Sequence, residues 1–400
     1  MDGEGKLPLA GVKIVDLTRV MTGPYCTMML ADMGAEVIKV EQPGRGDDTR
    51  AWGPPFTHGE ANYYLSVNRN KRSIALDLKS DGGKEILWKL IAGADVFVEN
   101  FSPGTIGRLG FDYAAVAAVR PAIVYCSISG FGQTGPGRNW TAYDLILQGM
   151  SGIMSLTGQE DGPPTRVGIP IADMTAGMFA AYAIVAALYR KASGGGGEFI
   201  DASLLGAQVS MLTYYTVNYH MNDIIARRVG NRHQTIAPYD VYPTADGFIS
   251  LAVGNDAIWG RLCTVMGWDE LARDPRYARN PDRIARVEEL TALIGARFQT
   301  MTTAALLELL GSVNVPCGPI SSIDEVFANS QVHHERLART IEHPIIGPLT
   351  VPGMPYHLRT ADLEVTLPPP LLGEHTEAIL RELGFDDAAV AAYRADGAVA

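Results

Sequence analysis

One apolar stretch of the sequence directly follows a single carboxylate. Residues Met174 to Tyr189 carry no charge and are rich in Ala, Met, Ile and Val. The stretch is longer than a typical strand and shorter than a helix that spans a bilayer. It is therefore predicted to form a buried helix in a soluble core, with Asp173 at its start.

Asp173 suits two different roles at that position. Because Pro170 disfavours helical backbone just before it, the helix is predicted to begin at or just after Asp173. Free backbone N–H groups and the helix dipole favour an anion there, and Asp is a preferred N-cap residue. An ionised carboxylate with apolar walls behind it is also able to attack an activated acyl group. The stretch alone leaves both roles open.

The rest of the N-terminal half alternates between strand and helix patterns. Strands are predicted over residues 11–17, 35–41, 73–78, 95–99, 122–127 and 198–202, with helices over 24–33 and 83–91. Such alternation is typical of a parallel sheet covered by helices on both faces. The predicted fold class is α/β, with a large Rossmann-like, doubly wound domain.

Three segments are predicted along the chain. Residues 1–222 form the N-terminal part of the large domain. Residues 223–325 form a smaller α/β domain, since a hairpin pattern turned at Ala245–Gly247 is followed by helical patterns. Residues 326–400 contain an extended proline-rich connector and a final helix over 374–383 that return to the large domain.

Charge and cysteine content argue against several classes of protein. With 33 basic and 44 acidic residues the net charge is -11, which opposes binding to nucleic acid or anionic membranes. The four cysteines are widely separated and no metal-binding motif occurs, so neither a metal site nor a disulfide framework is indicated. The N-terminus lacks an apolar signal core, and a cytoplasmic protein is predicted.

Two glycine-rich patterns resemble nucleotide-binding loops. The pattern at Gly130–Gly135 matches G-x-G-x-x-G, but Pro136 and Gly137 follow it where a helix is required. Residues Gly194–Gly197 lie between a predicted helix and a predicted strand. Both are therefore predicted to be turns. No Walker A motif occurs, so activation of acids with ATP is not indicated.

Basic residues cluster near the predicted strand ends. They are Arg69, Lys71, Arg72, Lys79 and Arg108. Singly, each is best explained as solvated surface. Together, at the strand ends of one sheet, they would line a crevice suited to a phosphorylated cofactor such as coenzyme A (CoA).

Several motifs occur in one order along nearly the whole chain. They are GVKIVDLTRVMTGPYCTMMLADMGAEVIKVEQPGRGDDTR, NRNKRSIALDLK, DVFVENFSPGTIGRLG, GFGQTGP, IADMTAGM and PPLLGEHT. In this order they resemble the family III CoA-transferases. DDTRAWGPPF, YYLSVNRNK and SISGFGQTGP are most similar to the succinyl-CoA:glutarate type.

The resemblance implies an activity and a set of site residues. CoA would pass from an acyl-CoA, here succinyl-CoA, to a carboxylic acid such as glutarate or a related dicarboxylate, without a tightly bound cofactor. Asp173 matches the covalent nucleophile, which forms a mixed anhydride and then an aspartyl-CoA thioester, and Tyr143 matches a tyrosine beside it. The residues implied to bind CoA are Arg19, Val20, Leu76, Lys79, Asn100, Phe101 and Arg108. An interlocked homodimer is implied as well.

Three departures or gaps accompany the resemblance. Gln42 and Thr141 stand where the formyl-CoA enzymes carry Arg and Lys, so Arg45 or Lys71 is expected to contact the CoA phosphates instead. The glycine-rich flap of those enzymes has no evident counterpart. The distal carboxylate of a dicarboxylate needs a cation, for which Arg166, Arg232 and His233 are candidates.

Two other functions are compatible with the same fold. An α-methylacyl-CoA racemase needs two acid/base groups at the α-carbon. Tyr143 and Asn255 stand where racemases carry His and Glu, so transfer is favoured. A catalytically silent CoA-binding protein is disfavoured because Asp173 is retained.

Overall fold

A six-stranded parallel sheet organises the first part of the computed structural model, which describes residues 6–400. Its strands are β1 (Lys13–Asp16), β2 (Glu36–Glu41), β5 (Lys71–Ala75), β6 (Val96–Glu99), β7 (Val124–Ser129) and β8 (Glu198–Ser203). The order across the sheet is β5-β2-β1-β6-β7-β8, which is the Rossmann order 3-2-1-4-5-6 when only these strands are counted. The predicted doubly wound sheet is therefore present.

Alternating side chains give the sheet an apolar layer on each face. Ile14 and Val98 pack with helices α1 (Thr22–Asp32) and α8 (Ile171–Ala192) on one face, while Val15 and Phe97 pack with helix α3 (Asp81–Gly93) on the other. Successive strand residues point to opposite faces, and a sheet buried on both faces needs both sets to be apolar. This accounts for the continuous apolar character of GVKIVDL and DVFVE.

Helices and short strands complete the unit that contains this sheet. This unit comprises Met1–Gly152, Val167–Tyr214 and Ser330–Ala400. Its helices are α1 (Thr22–Asp32), α2 (Asn62–Val67), α3 (Asp81–Gly93), α4 (Thr105–Leu109), α5 (Tyr113–Val119), α6 (Asp144–Met150), α8 (Ile171–Ala192), α9 (Leu204–Ser210), α17 (Ser330–His334), α18 (Thr376–Glu382) and α19 (Asp387–Ala395). Its short hairpins are β3 (Phe56–Thr57) with β4 (Glu60–Ala61), and β12 (Ala338–His343) with β13 (Gly347–Pro352).

The second unit comprises Ile153–Arg166 and Tyr215–Asn329. An antiparallel sheet of β9 (Tyr239–Pro243), β10 (Phe248–Ala252) and β11 (Cys317–Pro319) packs on helices around a core that includes Tyr242, Trp259 and Phe298. The helices are α7 (Ile153–Leu156), α10 (Tyr214–Asn222, which begins in the first unit), α11 (Asp256–Met266), α12 (Asp269–Arg273), α13 (Asn280–Ile284), α14 (Val287–Phe298), α15 (Thr303–Gly311) and α16 (Ile323–Ala328).

The unit boundaries differ in three places from the predicted segments, one of which is residues 326–329, found in the second unit and not in the returning segment. Residues 153–166 and 215–222 belong to the second unit, whereas the prediction put them in the first. The predicted proline-rich connector contains the β12–β13 hairpin, and a further helix, α19, follows the predicted last helix. The chain end returns to the first unit, where Val399 bridges to Leu76. Met1–Gly5, the first residues of the N-terminus from which the location is predicted, lie outside the described residues.

Helix α8 is only half-buried, which corrects the prediction of a buried helix. Its small residues face the core, including Ala172, Ala176 and Ala180, while Tyr182 and Tyr189 are 74% and 76% exposed. The helix is therefore apolar on two faces. One face packs on the core, and the other is exposed to solvent in the single chain. Helix α8 is long and apolar enough to cross a membrane. Core helices of soluble proteins meet the same two criteria of length and composition.

Candidate functional site

The point where the strand order reverses lies between β1 and β6. The Arg19 amide donates to Asn100 Oδ1 at 2.8 Å, and Asn100 Nδ2 donates to the Arg19 carbonyl at 2.8 Å. These two hydrogen bonds join the loops that follow the two strands. Doubly wound folds bind ligands at the carboxyl ends of the strands at such a point.

Two clefts adjoin at these strand ends. The Lys79 cleft, about 800 Å³, is lined by residues that include Lys79, Leu76 and Gln42. The Asp173 cleft, about 1270 Å³, is lined by residues that include Asp173 and Tyr143. Arg19, Asp48 and Phe101 line both clefts. The two clefts therefore adjoin at these three residues, and together they are called the groove.

The groove brings together most of the predicted site residues. Arg19, Val20, Leu76, Lys79, Asn100, Phe101, Tyr143 and Asp173 line one or both clefts. Arg108 lines neither; it is exposed on α4, where it donates to the Thr105 hydroxyl at 2.8 Å. Its neighbour Leu109 lines the Lys79 cleft, so a role for Arg108 at the mouth of that cleft stays a prediction.

The backbone at Val20 is held in an unusual conformation. Its φ of 72° lies in the left-handed region, which a β-branched residue rarely adopts. The Val20 amide donates to Asp47 Oδ1 at 3.1 Å, and Lys39 Nζ donates to Asp47 Oδ2 at 2.9 Å. Burial raises the pKa of Asp47, but Lys39 and the Thr49 amide outweigh it and lower the pKa to about 2. A buried anion thus fixes the Val20 backbone.

Asp173 is the third residue of α8, so the helix begins before Asp173 and not at or after it, and of the two roles left open Asp173 does not fill that of the N-cap. Pro170 occupies the N-cap, and Asp144 Oδ1 accepts from the Ala172 amide at 2.8 Å. Asp144 thus satisfies one amide of the first turn from outside the helix, and the Asp173 carboxylate makes no capping hydrogen bond. Its Oδ1 instead accepts from the Thr22 hydroxyl at 2.6 Å. Neither Thr22 nor Asp144 was predicted, although Asp144 directly follows Tyr143.

Close packing of α1 on α8 brings Thr22 to Asp173. A Cβ atom at Gly177 would lie 2.7 Å from the Thr22 carbonyl oxygen, nearer than side-chain carbons approach. Glycine at this position therefore permits the contact between the two helices. Replacing it would push α1 away and lengthen the Thr22–Asp173 hydrogen bond.

Burial makes Asp173 a poorly solvated carboxylate. It raises the pKa of Asp173 to about 6; the Thr22 hydrogen bond lowers the pKa and the nearby charge of Asp144 raises it. Within residues 6–400, no Lys, Arg or His forms an ion pair with Asp173. At pH 7 the group is mostly ionised and is not neutralised by a cation, a state suited to nucleophilic attack.

The predicted basic clusters do not line the crevice as a group. Arg69 pairs with Asp32 at 2.7 Å, Lys71 with Asp16 at 3.2 Å and Arg72 with Glu382 at 2.7 Å. The Lys71 side chain is fully buried, so the expectation that it contacts CoA phosphates is wrong.

The surface cations near the Lys79 cleft are fewer than expected. Lys79 is exposed and lines that cleft. Arg45 is exposed and pairs with Asp48 at 2.6 Å, so its predicted phosphate contact stays open. Thr141, like Gln42, lines the groove without supplying a charge.

The three candidates for a distal carboxylate do not line the Asp173 cleft. Arg166, Arg232 and His233 all belong to the second unit, and Arg232 pairs with Glu160 at 2.7 Å. The Asp173 cleft contains a different cation, Arg138. The signal for it in the sequence is its place two residues after the GFGQTGP motif.

Both glycine patterns form turns, as predicted. In the first, the Gly132 amide donates to Ser129 Oγ at 3.0 Å, and the loop lines the Asp173 cleft through Gly130 and Phe131. In the second, Gly194 has a φ of 91° after the end of α8. Among the described residues, no cluster of His, Cys, Asp and Glu is arranged to hold a metal ion.

Residues 9–376, which span most of both units, match the family model described as CoA-transferase family III. The chain is 43% identical to a succinyl-CoA:glutarate CoA-transferase of Mus musculus over 399 residues, covering 100% of this chain and 92% of the relative. A succinate–glutarate CoA-transferase of Agrobacterium fabrum is also 43% identical, over 94% of this chain and 96% of its own.

A solved structure matches the fold as well. The crystal structure of a CAIB/BAIF family protein from Brucella suis has a TM-score of 0.85 and 40% identity, over 94% of this chain and 100% of that one. The sequence motifs, the fold and the relatives all indicate the same family, and together they cover nearly the whole sequence. The chain therefore belongs to CoA-transferase family III and is an enzyme that transfers coenzyme A.

Proposed function

We propose that this enzyme transfers CoA from succinyl-CoA to glutarate or a related dicarboxylate through a covalent intermediate on Asp173. The observation that carries the mechanism is the state of Asp173, which is partly buried, lacks a cation partner among the described residues and faces the groove. The substrates are suggested by the names of the relatives from Mus musculus and Agrobacterium fabrum.

The cycle begins with attack of an Asp173 carboxylate oxygen on the thioester carbonyl. The C–S bond breaks, which gives a mixed anhydride and CoA thiolate. The thiolate attacks the aspartyl carbonyl of the anhydride, so succinate leaves and an aspartyl-CoA thioester remains. The acceptor carboxylate then attacks this thioester, and the released thiolate attacks the acceptor acyl carbon and restores Asp173. One thioester replaces another, so no ATP is required.

Thr22 is proposed to position the nucleophile. Its hydroxyl engages Oδ1 of Asp173, which leaves Oδ2 available for attack. The hydrogen bond also stabilises the ionised form against the effect of burial. Tyr143, which is 66% exposed and lines the same cleft, is proposed to contact the acyl group.

CoA is proposed to extend along the groove from the Lys79 cleft to Asp173. Lys79, with Arg108 or Arg45, would contact its phosphates, and backbone groups near Val20 would contact the adenine. The guanidinium carbon of Arg19 lies over the Phe101 ring, 5.2 Å from its centroid. The two clefts therefore meet at an aromatic ring covered by a cation. The CoA thiol would then lie near Asp173, where the chemistry occurs.

A homodimer and a cytoplasmic location complete the proposal. The exposed apolar face of α8, with Phe179, Tyr182 and Tyr189, supports burial against a second copy of the chain. Cys26 and Cys126 are free and fully buried, which suits a reducing compartment.

Racemase activity is not favoured. Asn255, at the position of the racemase Glu, caps α11 by accepting from the Ile258 amide at 2.9 Å. An amide used in this way supplies no proton to a substrate. If α-proton exchange of an acyl-CoA in deuterated water were faster than transfer, the proposed reaction would be wrong.

The acceptor class is testable with acids of equal length. With succinyl-CoA as donor, kcat/KM for glutarate is expected to exceed that for pentanoate by at least about tenfold, because a charge-assisted hydrogen bond contributes roughly 1.5–3 kcal/mol. Initial rates with each acid, measured as formation of the new thioester, provide the comparison. A preference for pentanoate would contradict the assignment of a dicarboxylate acceptor.

Replacing Thr22 with Val is expected to shift the pH dependence of activity to higher pH. Asp173 reacts as the carboxylate, and its pKa of about 6 places the acidic limb of kcat/KM near that pH. Loss of a hydrogen bond to a charged group, worth roughly 1.5–3 kcal/mol, raises the pKa by about 1–2 units. The pH profiles of the wild type, Thr22→Val and Thr22→Ser would be measured. The Ser variant keeps the hydroxyl and should retain the wild-type limb; equal shifts in both variants would exclude the hydrogen bond as the cause.

A further inference from the structure

The loop from Gly130 to Ala142 forms one wall of the Asp173 cleft. Besides the Gly132–Ser129 hydrogen bond, the Gln133 amide donates to Asp201 Oδ2 at 2.9 Å. Near its other end, Trp140 packs edge-on against Phe131 with ring centroids 5.2 Å apart. These contacts hold both ends of the loop, so Arg138 extends from a defined stretch of backbone.

The charges that line the cleft are unevenly paired. They are Arg19, Asp48, Arg138 and Asp173. Arg19 donates to Asp48 Oδ2 at 3.1 Å and stacks on Phe101. In the described part of the chain, Arg138 forms no ion pair and no side-chain hydrogen bond, and it is exposed. It is therefore the lining cation that is available to an anionic ligand.

We propose that Arg138 binds the distal carboxylate of the dicarboxylate acceptor and so determines the acceptor class. The inference rests on the proposed function and adds the residue that recognises the substrate. The planar guanidinium presents two parallel N–H groups that match a carboxylate. The other carboxylate of the acceptor then faces the thioester carbonyl carbon of the aspartyl-CoA intermediate, which is the side-chain carbonyl carbon of Asp173. A monocarboxylate of equal length places a methyl group against Arg138 and gains no such pair.

The same contact extends to the donor. Succinyl-CoA carries a free carboxylate at the end of its acyl group, and that group occupies the same cleft before succinate leaves. Arg138 therefore acts in both halves of the cycle when both acids are dicarboxylates. A donor without a distal carboxylate, such as butyryl-CoA, separates loading of Asp173 from recognition of the acceptor.

The test compares acceptors in Arg138→Gln, Arg138→Lys and the wild type, with butyryl-CoA as donor. In the Gln variant, kcat/KM for glutarate is expected to fall roughly 10- to 100-fold, as for loss of a charge-assisted hydrogen bond. For pentanoate it should change by less than about threefold, within the range of surface substitutions. The Lys variant keeps the positive charge but lacks the two parallel N–H groups of the guanidinium. Its kcat/KM for glutarate should therefore lie between the values of the Gln variant and the wild type. Arg279→Gln removes an arginine whose side chain is 80% exposed on the second unit and serves as the matched control.

Intact-protein mass after incubation with butyryl-CoA distinguishes failure of the inference from failure of the function. If Arg138→Gln forms the CoA adduct but keeps the wild-type ratio of glutarate to pentanoate rates, the inference is wrong and the proposed function stands. A wild type without an adduct from any acyl-CoA contradicts the function, and the inference falls with it. If only succinyl-CoA loads the wild type, the same 10- to 100-fold loss is expected in the loading rate of Arg138→Gln; an unchanged loading rate overturns the inference.

Discussion

Replacing Asp173 with Ala is expected to abolish CoA transfer, with a loss of roughly 10⁴-fold or more, as when a catalytic nucleophile is removed. The other carboxylate that lines the Asp173 cleft, Asp48, is held by Arg19 at 3.1 Å and Arg45 at 2.6 Å. An anion engaged by two guanidinium groups is a weak nucleophile. Asp48 is therefore not expected to substitute for Asp173.

The measurement is intact-protein mass spectrometry after incubation with succinyl-CoA. The wild type should gain one CoA less one water, and hydroxylamine should remove the adduct because it cleaves thioesters. Asp173→Ala should gain nothing. Asp269→Ala removes an exposed carboxylate on α12 in the second unit, which supplies none of the described residues that line either cleft, and should behave as the wild type. A hydroxylamine-sensitive adduct on Asp173→Ala would place the covalent step on another residue.

The start of α8 marks the limit of prediction from local sequence. Pro170 correctly indicated a helix boundary, but the helix begins at Ile171 and not at Asp173. The capping hydrogen bond is accepted by Asp144, which precedes the capped residue Ala172 by 28 positions in the sequence. Local rules assign a capping residue to the helix that follows it, so a cap supplied across tertiary structure is invisible to them. The same limit hid Thr22, which is 151 positions from Asp173.

The sheet was predictable because apolar strands and connecting helices alternate along the chain. The basic clusters were misread because charge in a sequence does not show whether a side chain points to solvent. Lys71 is the first residue of β5, and its side chain is fully buried with the ammonium paired to Asp16. Arg69 is likewise held by Asp32. Both cations support the fold, while Arg138, in a turn between motifs, faces the cleft.

Replacing Lys39 with Met is expected to destabilise the fold by about 3–5 kcal/mol, the usual effect of removing one partner of a buried ion pair. Lys39 and Asp47 are both fully buried, and the ammonium also donates to the Thr18 carbonyl at 2.9 Å. Without it, Asp47 remains as a buried carboxylate whose charge has lost its partner. The strained Val20 backbone depends on that carboxylate, so binding of CoA should weaken as well.

The pH dependence identifies the charge on Asp47 as the cause. In the wild type the pKa of Asp47 is lowered to about 2, so its contribution to stability is present above the ordinary aspartate pKa and is lost as the pH falls toward 2. In Lys39→Met that pKa rises, and protonation of Asp47 removes the unpaired charge. The difference in free energy of unfolding between variant and wild type should therefore be largest near pH 7 and shrink below about pH 5.

Denaturant unfolding of matched variants separates this electrostatic cost from lost packing. Lys13→Met removes an exposed lysine at the start of β1 and should change the free energy of unfolding by less than about 0.5 kcal/mol. Adding Asp47→Asn to Lys39→Met removes the buried charge while the amide oxygen still accepts from the Val20 and Thr49 amides. The double variant should regain part of the loss at pH 7. If it is as unstable as Lys39→Met at both pH 7 and pH 4, the cost lies in packing, and the buried ion pair does not set the stability of the Val20 loop.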